Sequence, residues 1–248
     1  MNHPRPTPPQ PFMTGFSLVE LALVLIVAAL LAGSLMTAAR GQRDQTARQQ
    51  TQQQLVDAQE ALLGFFLAQG RFPCPMPPGQ GGVAREMPEG GGDCLAWSGY
   101  LPGTTLGLGP TDEAGYVLDA WGQRLHYQVS SVAIGAQSHG FTTANGLRSN
   151  WASLAAPPAP DLWVCPGADT CSTTTALTRE GLVVVFSTGA NGETPRGADE
   201  TANLDGDNRL VSHPPTPADH PQGAFDDQLL WLSPVILYSR LTAAGRLP

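Results

Sequence analysis

Residues 16–39, FSLVELALVLIVAALLAGSLMTAA, decide how the rest of the chain is read. The run is apolar almost throughout. As a helix rising about 1.5 Å per residue it reaches roughly 36 Å, enough to span a hydrocarbon core of about 30 Å. One residue breaks the pattern: Glu20, near the start of the run. A carboxylate at the centre of a membrane helix costs about 2.5–3.5 kcal/mol on insertion scales, and such residues have partners. Residues 1–15, MNHPRPTPPQPFMTG, are polar and rich in proline. Each proline removes a backbone donor and clashes with the preceding turn, so no helix begins there.

On the other side of the run, residues 40–54 are rich in Gln and Arg. Residues 55–68, LVDAQEALLGFFLA, then carry Leu55, Leu62 and Phe66 on one stripe, with Val56, Leu63 and Leu67 beside it. That spacing is helical, and no proline falls within 16–72. One long helix is therefore expected from about Phe16 to Ala68, with Gly70 just past its end. The division that follows is 1–15 as a leader, 16–39 as a membrane half, 40–69 as an outer half of the helix, and 70–248 as a globular part.

Residues 70–115 are dense in Gly and Pro and read as a long loop. Strands are expected at 125–129, at 161–165 (DLWVC), at 181–187 (GLVVVFS) and at 227–232 (DQLLWL). The chain closes on a helix over Val235–Ala244, with Ser233 as N-cap, Pro234 in the first helical position and Gly245 as terminator. The expected fold class is α+β: a long N-terminal helix packed on a small antiparallel β-sheet, with stapled loops.

The 248 residues carry a formal charge of −8, which argues against a nucleic-acid partner, since counterion displacement needs a basic face. Four cysteines, Cys74, Cys94, Cys165 and Cys171, follow an export segment without any CxxC spacing. Disulfides fit better than zinc. Of three pairings, Cys74–Cys94 and Cys165–Cys171 each close a local Gly/Pro-rich loop. Acidic residues crowd 199–208, and Asp205 and Asp207 offer hard oxygen ligands suited to calcium, although a solvated acidic loop has the same composition. No GxSxG, Walker A, HExxH or Cys/His nucleophile pattern occurs, so no enzyme and no organic cofactor is expected.

Gly15-Phe16-Ser17-Leu18-Val19-Glu20, followed by the apolar run, resembles the processing site of type IV prepilins and type II secretion pseudopilins. The resemblance implies that a prepilin peptidase cuts after Gly15, that the new N-terminal Phe16 is methylated, and that Glu20 guides assembly. It implies further partners: other pilin or pseudopilin subunits, an inner-membrane assembly platform and membrane lipid. It places the chain as a single-pass protein of the bacterial inner membrane with its C-terminal domain periplasmic, and then in a pilus or pseudopilus. DAWGQRLHYQV (119–129) and VVVFSTGANGE (183–193) are similar to the C-terminal part of the major pseudopilin, where such turns precede an acidic loop that holds calcium; here Asn191 stands where Asp is common. The length of the chain favours a minor pilin or minor pseudopilin. Two other readings of the N-terminus stay open. One is an ordinary secretory signal cut at Thr37-Ala38-Ala39, and the other is an uncut anchor. Either would present a membrane-anchored or secreted periplasmic binding protein or hydrolase.

Overall fold

The computed structural model describes residues 18–80 and 83–247, with the backbone alone for 31–41. The leader, Gly15 and Phe16 lie outside the described residues. Two compact units are distinguished, one up to Thr46 and one from Ala47 onward.

The first helix, α1, runs Leu18–Gln69. In the first unit its apolar side chains from Leu18 to Leu30 are all exposed, and Glu20 sits exposed in the first turn. Among the described residues no helix is long and apolar enough to cross a membrane. The expected membrane half, 16–39, lies partly outside them.

In the second unit α1 presents Leu55, Ala58, Leu62 and Phe66 to the main core, each 2% exposed or less, as steps of three and four residues require. Gly70 ends the helix in the left-handed region at φ 69°, its N–H returning to the Phe66 carbonyl at 2.7 Å. A Cβ at Gly70 would meet Asn145 Oδ1 at 2.7 Å, so glycine serves both the φ and the close approach.

The helical core stripe faces a four-stranded antiparallel sheet. Its strands are β1 (Ser98–Tyr100), β2 (His126–Val129), β5 (Val183–Ser187) and β7 (Gln228–Leu232), in spatial order β1-β2-β5-β7. A second sheet, in the order β4-β3-β6, joins β3 (Leu162–Cys165), β4 (Thr178–Gly181) and β6 (Arg209–Val211). Here the expectation of one antiparallel sheet is incomplete, because β3 pairs antiparallel with β4 but parallel with β6. Strand β5 is buried at every residue. Val183 and Val185 face the core of α1. Val184 and Phe186 face a second cluster with Leu162, Val164 and Leu210 from the other sheet. Covering on both faces is why this strand reads as a continuous apolar run and not as an alternation.

Short helices connect these strands: α2 (Gly103–Leu106), α3 (Gly146–Asn150) and α4 (Ala198–Leu204). The chain ends on α5 (Pro234–Ala243), where Ser233 Oγ accepts from Val235 N and Pro234 opens the first turn. Both expected disulfides are present, Cys74–Cys94 and Cys165–Cys171. The first lies beside a buried pair in which Arg71 donates to both oxygens of Glu86 at 2.6 and 2.7 Å. The fold is α+β, with an N-terminal helix, an antiparallel sheet and two disulfides.

Candidate functional site

Strand β5 ends at Ser187, and the chain then turns through Thr188–Gly192. Ser187 Oγ donates to Asp119 Oδ2 at 2.5 Å and accepts from Gly189 N at 3.0 Å. Asp119 Oδ1 accepts from Trp121 N and Gln123 N, closing the tight turn before β2. The two sequence segments singled out above, 119–129 and 183–193, thus meet through one carboxylate. Burial raises the pKa of Asp119, opposed by its bonds to Ser187 and the backbone.

Beyond that turn, three carboxylates converge. Glu200, on α4, is 2% exposed, and Asp227, just before β7, is 6% exposed; Asp226 is half-buried beside it. One oxygen from each lies within 4.8 Å of the others. Amide groups line the cluster. Asn191 Nδ2 donates to both Glu200 oxygens at 2.9 and 2.8 Å. Arg196 N and Asp226 N donate to Glu200, Ala190 N to Asp226 Oδ2, and Asn203 Nδ2 to Asp227 Oδ2 at 2.7 Å. Two acceptors are buried with no hydrogen-bond partner, Asp226 Oδ1 and Asn191 Oδ1. Gly189, at φ 63°, lets the turn close on Asp226, where a Cβ would come within 2.5 Å of Oδ1.

Burial is the largest cause raising the pKa of Asp227 to about 8, with Glu200 and Asp226 adding to it and the bond from Asn203 opposing it. Burial and then Glu200 likewise raise Asp226, opposed by Ala190 N and by the charge of Arg48. A carboxylate whose folded pKa lies above its unfolded value of 3.8 adds stability fully present below that value and lost as pH rises through the folded one. The midpoint of thermal unfolding of the wild type should therefore fall relative to Asp227→Asn as pH goes from about 4 to about 8. Parallel curves for the two proteins would contradict the buried, like-charged setting given to Asp227.

The expected calcium pair, Asp205 and Asp207, does not enter this cluster. Both are exposed, and each spends an oxygen on a local turn, Asp205 Oδ1 accepting from Asp207 N and Asp207 Oδ1 from Arg209 N. Glu20 stands in the first turn of α1, far along the chain from these acids.

A second ionisable group lies at the edge of β1 and β2. Glu193 Oε1 accepts from Tyr100 Oη at 2.6 Å and lies 3.4 Å from His126 Nε2, an electrostatic contact and not a well-formed hydrogen bond. His126 first, and then Tyr100, bring the Glu193 pKa down to about 2, against burial, which raises it. Glu193 is thus held at the rim of the sheet by the Tyr100 hydroxyl, with the His126 ring beside it. Trp97 packs on His139 and Trp151 on Tyr238.

No family model, no curated protein and no solved structure matches the chain.

Proposed function

We propose that the chain is a structural subunit, a minor pilin or pseudopilin of a type IV pilus or type II secretion pseudopilus, processed by prepilin peptidase and assembled through α1. The observation that carries this reading is the register Gly15-Phe16-x3-Glu20 at the head of a helix whose described apolar side chains, Leu18 to Leu30, are all exposed. A continuous exposed apolar surface of that kind needs lipid or another protein to cover it.

Cleavage after Gly15 frees a cationic amine on Phe16, five positions into the numbering of which Glu20 carries the opposite charge. Neither group is comfortable in lipid alone. At about 4 Å a unit-charge pair attracts by about 1 kcal/mol in water and about 4 kcal/mol at an effective dielectric of 20. A neighbouring subunit in register supplies the pair, and one out of register leaves the acid unmatched. The bundled helices then form the filament core, and the disulfide-stapled α+β domain faces the periplasm or the fibre surface. Its partners are the peptidase, the inner-membrane assembly platform and subunits of the same kind. The test is incorporation of a Glu20→Ala chain into fibres, expected to fail while membrane insertion persists; unchanged incorporation contradicts the proposal.

A further inference from the structure

We propose that the cleft between the edge of β1 and the turn from α4 to β6 binds a neutral polyhydroxyl compound, a sugar, through His126 and Glu193. The cleft has a volume of about 390 Å³, within the range of small-molecule sites. Pro78 and Leu204 stand among its walls. At its base lies an unused polar atom. His126 is 7% exposed, and its Nε2 is buried with no hydrogen-bond partner. The ring is fixed by stacking on Phe186, with centroids 4.8 Å apart and 18° between the planes. Nε2 is thereby held facing Glu193, which lines the same cleft at 3.4 Å. A buried polar atom without a partner costs free energy that a bound group recovers. Glu193 itself is tied by one oxygen: Oε1 accepts from Tyr100 Oη, and the side chain is half-exposed, so Oε2 stays open to a ligand.

The walls select the ligand by chemistry. Glu193 and Asp205 are acids, and no Arg lines the cleft; the chain has no Lys. A phosphate or carboxylate therefore meets repulsion and no counter-charge. An ammonium group suits Glu193, but it carries only donors and so matches Nε2 in one tautomer alone. A hydroxyl both donates and accepts. It satisfies Nε2 in either tautomer, while a neighbouring hydroxyl donates to Glu193 Oε2. Adjacent hydroxyls on a ring that also has apolar C–H faces for Pro78 and Leu204 describe a neutral sugar. The inference does not rest on the filament proposal, since the cleft lies wholly within the second unit.

The test is saturation-transfer NMR on the full chain in a detergent without a sugar head group. The probes are glucose, galactose, mannose, N-acetylglucosamine, maltose and lactose, with glucosamine and glucuronate as cationic and anionic counterparts. At least one neutral sugar should bind. Glu193→Gln should weaken it by about tenfold or more, the worth of a hydrogen bond to a charged group. His126→Phe keeps a ring against Phe186 and removes the nitrogen, and should weaken binding likewise. Glu193→Gln alters a half-exposed side chain, so the fold should persist, as the far-UV spectrum checks. Arg148→Gln, in the separate cavity beside Gly70, should bind as the wild type does. Absence of binding by every neutral sugar, undiminished binding in Glu193→Gln, or loss of binding in Arg148→Gln overturns the site. Binding of glucosamine or glucuronate alone overturns the assignment to a neutral ligand.

Discussion

A Glu86→Ala chain should lose about 3–5 kcal/mol of domain stability, the cost of leaving one member of a buried ion pair unmatched. Glu86 and Arg71 are each exposed by 6%. The carboxylate accepts two guanidinium bonds, at 2.6 and 2.7 Å, and also the backbone N–H groups of Cys74 and Gly90. Removing it strands a buried cation and the buried N–H of Cys74 at once. Arg71 also lies 5.2 Å from the centre of the Phe65 ring and donates to the Phe72 carbonyl, but neither replaces a counter-charge. The double change Arg71→Met, Glu86→Leu should recover most of the loss, because apolar replacement of a whole buried pair is often neutral. Denaturant unfolding with an unchanged slope measures both. A single-variant loss under about 1 kcal/mol would show that water reaches the pair and that it does not tie the 70–95 loop to the end of α1.

The Glu20→Ala chain should insert into the membrane at least as well as the wild type, since the change removes a charge that costs about 2.5–3.5 kcal/mol at the bilayer centre. Its incorporation into fibres should nevertheless fall. If desolvation cancels half of an attraction of about 4 kcal/mol, about 2 kcal/mol remains, a factor of about 30 in the partition between free and assembled subunit. Glu20→Gln should behave like alanine, because it keeps the size and loses the charge. Quantifying the chain in purified fibres against the membrane fraction decides the matter, and equal ratios for wild type and both variants would remove Glu20 from assembly.

Much of the α+β frame is legible from local chemistry. The end of α1 is marked by Gly70, the core face by Leu55, Leu62 and Phe66, the central strand by Val183–Phe186, and the last helix by Ser233 and Pro234. Strands β1, β4 and β6 are hidden because they span only three or four residues, and β4 (TREG) has no apolar alternation. The parallel pairing of β3 and β6 has no local signature, because it is decided by packing on the far face of β5. Helix α4 is the instructive omission. Its buried residues are Asp199, Glu200 and Asn203, so the periodicity that announces a helix, apolar positions at steps of three and four, is written in polar side chains and reads as a solvated acidic loop. The same inversion hides the carboxylate cluster, since Glu200 and Asp226 meet only through tertiary structure. The visible signal is the adjacent pair Asp226-Asp227 at the mouth of the apolar strand Gln228–Leu232, where burial leaves two acids little room to stay solvated. In the exposed pair Asp205 and Asp207 the spacing is right for a ligand loop, but backbone N–H groups already occupy the oxygens.

The filament proposal stands most directly on the identity of the mature N-terminus, and intact mass with fragmentation of the chain recovered from bacterial membranes measures it. A chain that begins at Phe16 and carries one methyl group on its amine is expected. A chain that begins at Arg40, or one that still carries the leader at Met1, would contradict it.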